Sequence, residues 1–123
     1  MRDQPAHQRR GRDAEQMACA HLLKNGLTLE QRNYRSPYGE IDLIMREREA
    51  LVFVEVRFRS SSRFGSPAET VDARKRAKLR ATAEYYLQHV RRASNKPCRF
   101  DIVAISGNRP GDPTLHWLRN AFQ

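Results

Sequence analysis

Residues 39–58 read G-E-I-D-L-I-M-R-E-R-E-A-L-V-F-V-E-V-R-F. Gly39 to Met45 and Leu51 to Phe58 are apolar runs, the second rich in β-branched and aromatic residues, as strands of a sheet interior are. The charged link from Arg46 to Ala50 is short enough for a hairpin. Each run carries one carboxylate in apolar company: Asp42 between Ile41 and Leu43, Glu55 between Val54 and Val56. Side chains alternate along a strand. Glu40 and Asp42 are therefore expected on one face with Ile41 and Leu43 on the other, and Phe53, Glu55 and Arg57 share a face. Asp42 and Glu55 are 13 residues apart, a separation that a hairpin can bring side by side.

Working outward, Ala14, Met17, Ala18, His21 and Leu22 recur at helical spacing and Gly26 is a natural stop, which predicts a helix over about residues 12–25. Leu27 to Arg35 is a weaker strand. Arg59 to Pro67 has the composition of a basic loop. A long helix is predicted from about Glu69 to Val90, with an apolar stripe of Leu79, Ala83, Tyr86, Leu87 and Val90. Arg99 to Ile105 is a fourth strand, Asn108 to Pro113 a turn-rich link, and Leu115 to Phe122 a last edge strand. Helix, three strands, helix and two strands imply an α/β chain, with a crossover and a central mixed β-sheet flanked by helices. Residues 1–10 are expected to be a flexible N-terminal segment, and 11–123 a single domain.

The chain has 123 residues, enough for one hydrophobic core without disulfides. Its two cysteines, Cys19 and Cys98, form no CxxC pair and give no zinc signature. No apolar run approaches the roughly 20 residues of a membrane span, and the N-terminus lacks the apolar stretch of a secretory signal. A cytoplasmic location is the expectation. The formal net charge is +9. Between Arg57 and Arg80 eight basic residues face only Glu69 and Asp72. A chain this basic suits a polyanionic partner, of which nucleic acid is the commonest.

A buried, uncompensated carboxylate costs several kcal/mol. A metal ion, a cation or a structural salt bridge would each compensate Glu55. Two carboxylates meeting on one sheet face repel unless positive charge lies between them, and hard divalent cations such as Mg²⁺ take such oxygen ligands. Arg57 emerges beside Glu55 as a fixed positive charge. Two carboxylates and a cation on adjacent strands of a basic protein suit metal-assisted phosphodiester hydrolysis.

G-E-I-D-L-I (39–44), V-F-V-E-V-R (52–57), A-E-Q-M-A (14–18), N-Y-R (33–35) and R-F-D-I-V (99–103) resemble the YraN family of uncharacterised predicted endonucleases. That family is similar to archaeal Holliday junction resolvases and belongs to the PD-(D/E)xK superfamily. The resemblance spans roughly residues 11–119. It implies a restriction-endonuclease-like core, Mg²⁺ or Mn²⁺ as cofactor, and DNA as substrate, branched or damaged DNA included. Asp42 corresponds to the motif aspartate and Glu55 to its second acid. Glu15 resembles the first-helix acid that reaches the metal in related resolvases, although a first-turn charge favoured by the helix dipole reads the same way.

Arg57 stands where those nucleases carry lysine, and arginine neither gives nor takes a proton readily. It can act as an electrostatic clamp only. Lys75 extends the stripe of the long helix toward its start and could supply the missing lysine, or be one more solvated member of the basic run. Arg59, Arg63, Arg74, Arg76 and Lys78 are candidates for phosphate contacts, with Ser60 to Ser62 beside them. Asp101 could reach the site, but pairing with a neighbouring arginine suits it better. Tyr34 and Tyr38 could stack on bases or border a core. The four histidines show no ligand spacing. The reading is a metal-dependent DNA endonuclease; its alternative is a non-catalytic nucleic-acid-binding module that keeps the fold. A four-way junction substrate would favour a homodimer.

Overall fold

Glycine and aspartate mark the ends of the two helices. In the computed structural model, which describes residues 6–59, 71–91, 96–107 and 114–123, helix α1 runs over Ala6–Lys24. It stops at Gly26, whose φ of 95° is open to glycine but strained for other residues. Leu27 N–H bonds to Leu22 O and Gly26 N–H to Leu23 O, the paired bonds of a Schellman ending, and Leu22 and Leu27 both enter the core. Helix α2, Ala73–Tyr86, starts at Asp72, whose carboxylate accepts the Lys75 backbone N–H at 2.9 Å.

α1 begins six residues earlier than its apolar spacing predicts. Residues 6–10 thus lie within the helix. α2 starts later than predicted, at its capping aspartate, and continues into a π turn, Leu87–Arg91. A π turn changes the rotation per residue, so Val90 leaves the stripe and is exposed. The Arg59–Pro67 loop past Arg59, Glu69 and the Asn108–Pro113 link lie outside the described residues.

Five strands form one sheet in the order β1-β2-β3-β4-β5: Thr28–Ser36, Gly39–Glu47, Ala50–Arg59, Cys98–Ser106 and Thr114–Phe122. Neighbours are antiparallel except β3 and β4, which are parallel. That parallel pair requires a crossover, and α2 lies within it. The mixed sheet between helices is thus as expected. α1 covers one face, with Leu43, Met45, Val52, Val54, Val103 and Ile105 beneath it. α2 covers the other, over Ile41, Ile44, Leu51, Phe53 and Ile102. The central strands β2, β3 and β4 are apolar because both their faces are buried, while β1 buries only Tyr34.

One detail of register departs from simple alternation. Ile41 packs toward α2 but Leu43 toward α1, so these two residues do not share a face as the sequence suggested. The β2–β3 ladder runs from Glu47↔Ala50 to Leu43↔Val54 and stops there. Asp42 sits where it stops. Among the described residues no helix is long and apolar enough to cross a membrane.

Candidate active site

At the end of the β2–β3 ladder the Asp42 carboxylate takes over from the backbone. Its Oδ2 accepts the Val56 N–H at 2.8 Å, replacing the strand carbonyl that β2 no longer offers. Had the ladder continued, Asp42 would have paired with Glu55. The two side chains still meet and hydrogen bond to each other. Glu55 is only 6 % exposed, on the α2 face next to Phe53.

Burial, then the Asp42 charge and its hydrogen bond, push the Glu55 carboxyl up to about 8. Burial raises Asp42 as well, against the Val56 hydrogen bond that favours its ionised form. The pair therefore shares one proton near neutrality, with Glu55 holding it. Two positive charges oppose this. Lys75 Nζ lies 3.5 Å from Glu55 Oε2, and Arg57, two residues along the same strand face, favours the ionised form of Glu55. Lys75 thus points from the first turn of α2 at the carboxylates, and its side chain remains 41 % exposed. Even so, the two cations leave Glu55 far above an ordinary carboxylate.

Glu15 belongs to the neighbourhood from the α1 side. Burial and the charges of Asp42 and Glu40 raise its carboxyl, while a hydrogen bond from Asn33 lowers it. Among the described residues no group of three or more His, Cys, Asp or Glu is arranged to hold a metal ion. Asp42 and Glu55 are thus a two-carboxylate site with Glu15 behind it. Their hard oxygens, crowded enough to retain a proton, fit a divalent cation that would replace that proton. Asn33 was missed by the sequence reading. Its φ of 50° is a conformation that asparagine tolerates better than most residues.

Other candidates fall elsewhere. Asp101 is fully buried on the α1 face, accepting Arg99 Nε at 3.0 Å, Trp117 Nε1 at 2.9 Å and the Asn120 N–H at 2.9 Å. Arg99 also bonds Glu47, which Arg119 clasps from β5. This is the arginine pairing that suited Asp101 better. Tyr34 is buried with its ring edge-on to Tyr86, whereas Tyr38 is exposed.

Arg74 and Lys78 project from α2 into solvent. Arg76 is half-buried, its Nε donating to Val71 O at 2.8 Å and its guanidinium lying over the Phe122 ring. The Arg59 side chain, Ser60 to Ser62 and Arg63 lie outside the described residues.

The family model of uncharacterised protein family UPF0102 matches residues 14–105, a span that contains Glu15, Asp42, Glu55 and Lys75. This chain belongs to UPF0102. A UPF0102 protein of Nitrosococcus oceani is 50% identical over 117 residues, covering 95% of this chain and 94% of the relative. A UPF0102 protein of Nitrosomonas europaea is 52% identical over 113 residues, 92% of each chain. One from Pseudomonas fluorescens is 45% identical over 119 residues, 97% of each. UPF0102 members of this size therefore match the chain almost end to end, carboxylate strands and α2 together.

Proposed function

We propose that this UPF0102 protein is a metal-dependent DNA endonuclease with a restriction-endonuclease-like core, using Mg²⁺ or Mn²⁺. The observation that carries the reading is the Asp42–Glu55 pair with Lys75 Nζ 3.5 Å from Glu55. Two carboxylates that share a proton, beside an exposed lysine and in a chain of net charge +9, suit the handling of a phosphodiester. Asp42 and Glu55 would hold the cation. Bound there, it would polarise a phosphoryl oxygen and lower the pKa of a water.

The chain's own residues supply the rest. Val56 N–H fixes the orientation of the Asp42 carboxylate. Arg57 holds a permanent positive charge against the site and can stabilise charge growing on the phosphate. Lys75, unlike Arg57, can release or accept a proton, and its reach to Glu55 suits the lysine role that position 57 lacks. Glu15 adds negative charge from α1.

Arginine at position 57 favours a second reading, a nucleic-acid-binding module that has kept the fold without cleavage. Incubation with labelled linear, single-stranded, flap and four-way-junction DNA in Mg²⁺ and in Mn²⁺ separates the two. On the endonuclease reading wild type cleaves at least one substrate. Asp42→Asn and Glu55→Gln lose roughly two orders of magnitude or more, and Lys75→Ala roughly the same in cleavage at saturating DNA, beyond any loss of affinity. Salt-sensitive binding without cleavage of any substrate would leave the module.

A further inference from the structure

Helix α2 carries a second pattern, which the carboxylate site does not use. Lys75, Lys78, Thr82, Tyr85 and His89 recur at spacings of three, four, three and four, one continuous stripe. It flanks the buried Leu79, Ala83 and Tyr86, and its own middle residue, Thr82, is buried under the β1–β2 turn, so the turn, Tyr38 included, bridges the basic start of the stripe and its aromatic end. A Cβ placed on Gly39 would lie 3.3 Å from Thr82 Oγ1 and 3.6 Å from Lys78 Cβ, so the turn rests directly on this stripe. Ser36 Oγ pins it, donating to Thr82 Oγ1 at 3.1 Å and accepting the Tyr38 N–H at 3.0 Å.

The far end of the stripe is aromatic. Tyr85 and His89 stack with centroids 3.9 Å apart and planes 16° from parallel, and His89 Nδ1 lies 2.9 Å from Tyr85 O. Tyr38 meets Tyr85 at 6.3 Å and 69° and is 58 % exposed. Three rings are thus held in place at the surface, one of them largely in water. The core does not need Tyr38.

Charge identifies the occupant. From Ala73 to Arg91 the only acidic residue is Glu84, against six lysines and arginines. A polyanion carrying flat, stackable groups fits this combination, and nucleic acid is such a molecule. A duplex hides its base faces, so the rings call for unpaired bases. From Lys75 to His89 the helix advances about 20 Å at roughly 1.5 Å per residue, the rise of about six nucleotides of one strand.

We propose that Tyr38, Tyr85 and His89 form a stacking platform for unpaired DNA bases, the strand running along the Lys75–Lys78 stripe to the carboxylate pair. The inference deepens the endonuclease reading and rests on it for the nature of the ligand. It names a substrate with a single-stranded segment within about six nucleotides of the cleaved bond, the number a fully stacked strand would need. Tyr38 is a binding residue and not a catalytic one.

The test is fluorescence anisotropy without metal, which separates binding from cleavage, with a short labelled oligothymidine and a blunt duplex as probes. Tyr38→Ala weakens the single strand about 10-fold, as loss of one stacked base does, and changes the duplex less than about twofold. Tyr38→Phe keeps the ring and restores the affinity. Photocrosslinking of an iodouracil-substituted strand to the wild-type chain maps to Tyr38 or Tyr85. Equal weakening for both probes, no weakening for either, or crosslinks elsewhere would overturn the platform and leave the endonuclease reading standing. A platform that behaves as expected in a chain that cleaves nothing would do the reverse.

Discussion

Asp42 and Glu55 crowd two carboxylates into a space that favours one negative charge, and this has a signed consequence for stability. The Glu55 pKa rises on folding from 4.5 to about 8. The folded state then binds more protons than the unfolded one between those values, so stability falls as pH rises across that window and levels off above it. Glu55→Gln keeps the hydrogen-bonding shape and removes the titration. Chemical denaturation should show the variant close to wild type at pH 5 and more stable at pH 8, by about 2 kcal/mol, the size of removing an ill-compensated buried charge. On the endonuclease reading Mn²⁺ would replace the same proton, so wild-type Mn²⁺ affinity by titration calorimetry should climb with pH toward 8. A variant with the pH profile of wild type would mean that Glu55 is ionised throughout. Both acids were visible in the sequence because a carboxylate amid valines and isoleucines needs an explanation. Lys75 was visible only as an option, since nothing in a basic run marks which lysine turns inward. Asn33 was invisible, because its contact depends on one left-handed residue.

At the scale of elements, strands and helices were legible from period and punctuation, and the irregularities were not. Alternation put Ile41 and Leu43 on one face. In the structure they lie on opposite faces, because β2 parts from β3 at Asp42. A comparable device stabilises the other end of the sheet. β5 is out of register with β4 between Phe100 and Ile102, Asn120 adopts φ 50°, and Asp101 caps the free Asn120 N–H. Each buried aspartate supplies an acceptor where a ladder fails. One of them meets Glu55, the other a cage of Arg99 and Trp117. Sequence spacing cannot tell these apart, since R-F-D-I-V and E-I-D-L-I have the same pattern. The difference predicts distinct phenotypes. Asp101→Ala strands the Trp117 and Arg99 donors and should cost about 3 kcal/mol in urea denaturation, with a shift in Trp117 fluorescence. Asp42→Ala should cost less, because without the Asp42 charge Glu55 can ionise and pair with Lys75. An Asp101→Ala variant of unchanged stability would show that the arginine network carries no net energy.

For the whole molecule, the order of elements was legible because a long helix between strands forces a crossover, and the parallel β3–β4 pair follows from it. Which residues surround the site was less so, as α1 and α2 approach it from opposite faces and their register on the sheet is set by packing. The charge distribution also acts at this scale. Net +9 is spread unevenly: Arg99 and Arg119 are balanced by Glu47 and Asp101 on the α1 face, whereas Arg74 and Lys78 stand exposed on α2 beside Lys75 and the carboxylates. Polyanion binding should therefore be led by the α2 face and be strongly electrostatic. If three or more phosphates are neutralised there, the affinity for duplex DNA falls with salt at a log–log slope of about −3 or steeper. Arg74→Glu with Lys78→Glu should weaken binding and flatten that slope by roughly 2, leaving thermal stability within about 0.5 kcal/mol, as exposed charges contribute little to folding. The same reversal at Arg46 and Arg119, engaged with Glu30 and Glu47, should leave the slope nearly unchanged. Both doubles can be compared by anisotropy over a salt series. If the Arg46/Arg119 pair flattened the slope and the α2 pair did not, the polyanion would lie away from α2, Glu55 and Lys75, and the carboxylate pair would have no phosphodiester to act on.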